Sequence, residues 1–205
     1  MQLGNVILIE CPECGKNLKN IHVVSANSFG GRFFSDGNFY APMYPKPINI
    51  TRCSSCQAIF WVQEARIVGE QITRPELVDN NKVGEICHLN LDDYFRALNM
   101  GMAAKDIEKE FYLRKQIWHK QNELITKKEL SQESELYKEN AQKLEVLLNE
   151  GNPDERLMIA EINRNTGNFR KCLRLLEQKF PDEYLQTVRK MRKKALTRQS
   201  KTFEL

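Results

Sequence analysis

Two pairs of cysteines, Cys11/Cys14 and Cys53/Cys56, constrain this 205-residue chain more than any other feature. Each pair has C-x-x-C spacing. Two residues between the thiols let the backbone wrap until both sulfurs face one point, and two such pairs can surround one tetrahedral ion. In Cys11-Pro12-Glu13-Cys14-Gly15 the proline stiffens the turn, and Gly15 can take the positive φ that helps point backbone N–H groups at sulfur. Cys53-Ser54-Ser55-Cys56-Gln57 has neither Pro nor Gly, so this second loop should be less pre-organised. Thirty-eight residues separate Cys14 from Cys53. The usual gap is about 15–20, so the pairs must enclose an insertion. The expectation is one structural Zn²⁺ on Cys11, Cys14, Cys53 and Cys56. Sulfur at all four positions leaves none open for water or substrate.

A disulfide framework is the competing reading, and context argues against it. The only N-terminal apolar run, residues 6–9, is preceded by no Lys or Arg and is ended by Glu10, so no secretory leader is expected. The longest apolar run, residues 58–62, is far short of the roughly 18 residues of a membrane span. The chain reads as cytoplasmic, without a membrane partner, where paired thiols serve metals more often than disulfides.

The apolar pattern changes along the chain. Short β-branched or aromatic runs at 6–9, 21–24, 48–52 and 58–62 predict strands in a β-rich domain over residues 1–70. Residues 71–89 form a connector. From residue 90 the spacing becomes helical, with Asn90 as an N-cap ahead of Asp92 and Asp93. A second helix carries Ile107, Phe111, Arg114, Trp118 and Ile125; a third carries Tyr137, Ala141, Leu144 and Leu148, ending at Gly151-Asn152-Pro153. Further helices are expected over 154–166 and 169–179, and from Pro181 with a Leu185, Val188, Met191, Ala195 stripe. The helical domain is placed at 90–196 and a polar, frayed tail at 197–205. The fold class is α+β.

The four cysteines and Gly15 resemble the zinc ribbon, a scaffold with many uses and no single function. Residues 154–181 resemble a tetratricopeptide-type repeat. Ala160 and Cys172 fall at its close-approach positions, Gly167-Asn168-Phe169 matches its tight turn, and Asn163 replaces its usual aromatic. One such repeat cannot bury its own apolar face, so neighbouring helices must pack on it. Together these features resemble uncharacterised bacterial proteins that pair a four-cysteine zinc ribbon with a tetratricopeptide-like antiparallel helical region. That resemblance implies no activity; helical stacks of this kind usually bind peptides or protein surfaces.

The net charge of +4 is unevenly spread. Residues 1–185 hold 24 basic and 26 acidic residues, whereas 186–205 hold seven and one. A near-neutral body is unlike a dedicated nucleic-acid binder. The cations Arg189, Lys190, Arg192, Lys193 and Lys194 suit either phosphate contact or a solvated helix end. The insertion at 25–47 holds Phe29, Phe33, Phe34, Phe39, Tyr40 and Tyr44, with Arg32 among them. These rings suit a stacking surface or, given so few cations nearby, the core of a small ribbon, which is the favoured reading. No phosphate-binding glycine loop, nucleophile elbow or H-E-x-x-H motif is present. His22, His88 and His119 are scattered, and Cys87-His88 reads as a free cysteine beside a surface histidine. No catalytic or cofactor-binding residue is expected beyond the metal ligands. The sequence therefore reads as a non-enzymatic adaptor with a protein partner. The alternative is a nucleic-acid binder using the basic tail and aromatic insertion.

Overall fold

The computed structural model describes residues 2–71 and 83–205, with backbone alone at 22, 70 and 71. The strands are β1 (Gln2–Glu10), β2 (Asn17–Ser25), β3 (Arg32–Phe33), β4 (Phe39–Tyr40), β5 (Ile50–Arg52), β6 (Ile59–Trp61), β7 (Ile67–Gln71) and β8 (Gly84–Glu85). The helices are α1 (Leu91–Asn99), α2 (Ile107–Thr126), α3 (Glu135–Val146), α4 (Pro153–Asn165), α5 (Phe169–Leu176) and α6 (Leu185–Leu196). Among the described residues, helices with the short 3₁₀ turns hold 42% and strands 18%. The two types are segregated along the chain, which makes the class α+β. Among the described residues, no helix is long and apolar enough to cross a membrane.

The chain divides into two compact units, each built from two stretches of sequence. The first comprises residues 1–31 and 41–102. Its main sheet has the order β7-β1-β2-β8. β1 pairs antiparallel with both β2 and β7, and β8 lies parallel to β2 at Leu18 and Lys19 only. β5 and β6 form a separate antiparallel hairpin, Ile50 opposite Trp61 and Arg52 opposite Ile59. Ile9, Leu18, Phe60 and Val62 form the core between them together with Cys11 and Cys53. Most of the 71–89 connector lies outside the described residues.

α1 belongs to this first unit, although sequence placed it in the helical domain. The reason is electrostatic. Buried Asp93 pairs with Arg52 at 3.1 Å, and Arg96 donates to the Gln57 carbonyl at 2.6 Å. The Asn90 cap is as expected, with its side chain accepting from the Asp93 N–H.

The second unit comprises residues 32–40 and 103–205. α2 and α3 meet at Trp118, Ile125, Tyr137, Ala141 and Leu144. α4, α5 and α6 meet at Ile159, Ala160, Cys172, Leu175, Met191 and Ala195. Gly167 takes φ +80 at the α4–α5 turn, and Asn168 caps α5. Asn163, where the repeat pattern expects an aromatic, instead bridges helices. Its amide donates to Glu145 on α3 at 2.9 Å and to the Ile159 carbonyl. The last helix begins at Leu185 rather than Pro181, because residues 182–184 form a single 3₁₀ turn first. Ile107, placed on the buried stripe of α2, is exposed. α2 buries Leu113, Ile117, His119, Gln121 and Asn122 as well, so its covered surface is wider and more polar than the stripe.

The insertion does not build the core of the β-rich unit. Phe29, Phe33, Tyr40 and Tyr44 are exposed, and the strands fill that core themselves. The β3–β4 hairpin buries Ser35 and Asp36 instead of rings. Asp36 accepts from the Asn122 amide at 3.0 Å, and its carbonyl meets His119 Nε2 at 3.0 Å. Ser35 donates to Glu161 at 2.6 Å. Glu161 and Arg164 form an ion pair with no solvent exposure.

The tail is not frayed. Arg164 donates to the carbonyls of Gln199 and Lys201, and Asn165 to that of Ser200 at 2.6 Å. Phe203 lies under the Arg164 guanidinium, and its N–H donates to Ser35 Oγ. The Leu205 N–H donates to the Phe33 carbonyl. Polarity made this segment look unstructured, but buried side chains of α4 receive its main chain.

Candidate metal centre

Each cysteine pair sits at the tip of a hairpin, the first between β1 and β2 and the second between β5 and β6. The two turns have the same backbone bonding. The Cys11 N–H donates to the Lys16 carbonyl and the Gly15 N–H to the Cys11 carbonyl; the Cys53 N–H donates to the Ala58 carbonyl and the Gln57 N–H to the Cys53 carbonyl. Gly15 has φ +68 and Gln57 has φ +63. The second loop thus reaches the same geometry without glycine, at the roughly 1–2 kcal/mol that a side chain costs in the left-handed region. A 3.3 Å bond from the Gln57 amide to the Ser54 carbonyl offsets a part of it.

The four Sγ atoms of Cys11, Cys14, Cys53 and Cys56 lie within 4.8 Å of one another. Cys11 and Cys56 are 3.6 Å apart, and Cys14 and Cys53 are 3.7 Å apart. A tetrahedron with metal–sulfur bonds of about 2.3 Å has edges of about 3.8 Å. The sulfurs therefore fit a single ion between two loops, and the donor chemistry favours a soft or borderline metal. From each loop one ligand is buried, Cys11 or Cys53, and one is exposed, Cys14 or Cys56. Burial pushes the Cys11 thiol up to about 12. The Lys16 N–H pulls Cys14 down to about 7. A cation at the centre offsets the cost of ionising the buried pair. The Ser55 N–H points at Cys53 Sγ at 3.4 Å, a further stabilisation of thiolate.

Residues beyond the cysteine motifs hold the two loops together. Arg52, next to Cys53 in sequence, is paired with Asp93. Arg96 reaches the Gln57 carbonyl, next to Cys56. Thr51 Oγ1 accepts from the Cys87 N–H at 2.9 Å and donates to the Cys87 carbonyl at 3.1 Å. Residues 84–87 thereby join β2 to β5. A Cβ on Gly84 would lie 2.6 Å from both Leu18 Cδ2 and Ser54 Oγ, so glycine is what lets this strand pass beside the second loop. An isolated glycine in a connector was the one sequence signal of this bridge.

Cys87 and His88 are exposed, and Cys87 is outside the four-sulfur group. His119 is buried against Asp36. The side chain of His22 lies outside the described residues. Trp61 and Trp118 are buried core residues, and Trp61 donates to the Met102 carbonyl at 3.1 Å. Of the tail cations, Arg192 reaches Glu177 at 3.9 Å and Lys194 reaches the Gln199 side chain. Comparison with family models, with curated proteins and with solved structures returns no match for this chain.

Proposed function

We propose that this chain is a non-enzymatic adaptor of the cytoplasm, in which a zinc-ribbon-like module holding one structural Zn²⁺ is joined to a tetratricopeptide-like helical module that docks a protein partner. The observation that carries the reading is the closed four-sulfur group. Four thiolates fill the coordination of zinc, so the ion supports folding and offers no site for Lewis-acid chemistry. Tetrahedral sulfur ligation narrows the ion to zinc or iron, and the resemblance to the zinc ribbon favours zinc. Reduced cysteine pairs of this kind persist in a reducing compartment. The α4–α5 hairpin supports the helical half, because Ala160 and Cys172 are wholly buried where two helices approach closely.

The docking claim is tested with immobilised zinc-loaded protein and lysate from the native organism, with and without nuclease. A protein retained in stoichiometric amount after nuclease treatment, and displaced by excess soluble full-length chain, is the expected result. Retention abolished by nuclease, or turnover of a captured small molecule, contradicts the adaptor reading.

A further inference from the structure

The outward face of α6 is a strip of one charge sign. Val188, Met191 and Ala195 face the core, so on a 3.6-residue helix Arg189, Lys190 and Lys193 point away from it. Arg192 and Lys194 flank them. Other helices of the same unit pair most of their cations with carboxylates, with Lys115, Arg156 and Arg170 as single exceptions rather than a strip. On α2, α3 and the residues that flank them, Arg114 pairs with Glu110, Lys127 with Glu123, Lys138 with Glu133 and Lys143 with Glu139. On α5, Lys171 and Arg174 pair with Glu145 and Glu150. On α6 only Arg192 has an acidic neighbour, and among the described residues Arg189, Lys190, Lys193, Arg198 and Lys201 have no ion pair. These cations are also more numerous than a helix terminus uses, since the dipole acts only within the last turn.

Order is the second observation. Because Arg164 and Asn165 grip the main chain at 199–201, Arg198 and Lys201 are carried on a fixed segment beside α6. Cations held in place lose less freedom on binding than a disordered basic tail does.

We infer that α6 and residues 198–201 form a docking surface for the sugar–phosphate backbone of nucleic acid, which gives the adaptor a second class of ligand independent of its protein partner. Charge complementarity selects the ligand. A membrane-surface helix needs an apolar face free to insert, and here that face is consumed by the core. A protein interface needs buried aromatic or aliphatic anchors, and Leu196 is the one large apolar residue that α6 exposes. What remains is donors and positive charge, which suits phosphates and reads no sequence.

The test is fluorescence anisotropy of the full-length, zinc-loaded protein. The probes are a labelled 20-base-pair DNA duplex and a labelled 20-nucleotide oligo(U), in 50–200 mM KCl. The variant is Arg189→Gln/Lys190→Gln/Lys193→Gln, and Lys127→Gln/Lys138→Gln/Lys143→Gln removes equal charge from paired positions. All six side chains are on the surface; a single Lys193→Gln change serves as the milder variant. Wild type is expected to bind without sequence preference, with Kd of about 10⁻⁶–10⁻⁴ M. The α6 variant should lose at least about tenfold at 50 mM KCl, with the duplex salt slope shallower by about 2.7, or about 0.9 for each phosphate no longer neutralised. Lys193→Gln should flatten it by about 0.9, and the paired-site variant should change affinity less than about twofold. Equal losses in both triple variants overturn the inference, as does absence of binding to either probe. Tighter binding to phosphatidylserine vesicles, or displacement of both probes by polyglutamate at matched charge, would assign the face to lipid or to an acidic protein instead.

Discussion

Replacing Arg164 with Met tests what holds the tail and the β3–β4 segment in the helical unit. The guanidinium has no solvent exposure. It donates to both Glu161 oxygens and to the carbonyls of Gln199 and Lys201, and it stacks on Phe203 with 4.9 Å between guanidinium carbon and ring centroid. Breaking a buried ion pair on one side costs about 3–5 kcal/mol, because the partner is left charged and unpaired. Two carbonyls losing a charged donor add about 1–2 kcal/mol, less whatever water recovers. Arg164→Met should therefore destabilise by about 4–6 kcal/mol, read as a shift in urea midpoint and a fall in Tm of about 10–20 °C at 2–4 °C per kcal/mol. The double change Arg164→Met/Glu161→Leu should recover about half of the loss, since an apolar replacement for a buried pair is often near neutral while the tail carbonyls stay unserved. The pH dependence has a definite sign. Burial pushes the Glu161 carboxyl above its ordinary value, and without Arg164 it rises further. A group whose folded pKa is raised binds more protons when folded, so its deficit shrinks as pH falls. The single variant should recover stability relative to wild type between pH 7 and pH 5, and the double variant should not. A loss under about 1 kcal/mol, or no pH dependence of the deficit, refutes the reasoning.

Metal affinity should fall as pH drops below 7, because Cys14, drawn down to about 7, must then shed a proton to bind; chelator competition across pH 5.5–8 measures it. Gly15→Ala should cost about 1 kcal/mol from its φ of +68 alone, since the nearest atom to the new Cβ is 3.6 Å away, whereas Gln57→Gly should be neutral or stabilising by up to about 1 kcal/mol. Paired chemical denaturation of zinc-loaded protein compares them, and a loss in both would contradict the shared geometry of the loops. Cys172, buried and pushed up to about 12 by that burial, should resist thiol reagents in the native state at pH 8; Cys172→Arg should cost several kcal/mol by overpacking and an unpaired buried charge, while Cys172→Ala stays mild.

The four-cysteine cluster was legible because C-x-x-C spacing is a local constraint, and the two hairpins bring its sulfurs within 4.8 Å of one another. Helix positions were legible for a similar reason: the cap at Asn90, the stop at Gly151-Asn152-Pro153 and the tight turn at Gly167-Asn168 act within a few residues. What sequence missed is long-range. Nothing local says that residues 32–40 leave the β-rich unit, because the signal is a Ser35 hydroxyl whose acceptor, Glu161, is 126 residues away. Aromatic density drew attention to the rings of that stretch, while its buried members are Ser35 and Asp36. The tail was misread through the same bias. Its polar composition carries no apolar pattern, and its order comes from main-chain carbonyls received by Arg164 and Asn165. α1 looked like the first helix of a bundle until Asp93 and Arg96 were seen tied to the second cysteine loop.

Elemental analysis of the purified native protein, combined with thiol titration before and after denaturation, tests the metal centre most directly. The account predicts one zinc per chain, with Cys11, Cys14, Cys53 and Cys56 protected from thiol reagent until the ion is removed and with exposed Cys87 reacting at once. Substoichiometric zinc with all four thiols freely titratable in the folded protein, or stoichiometric iron in its place, would contradict it.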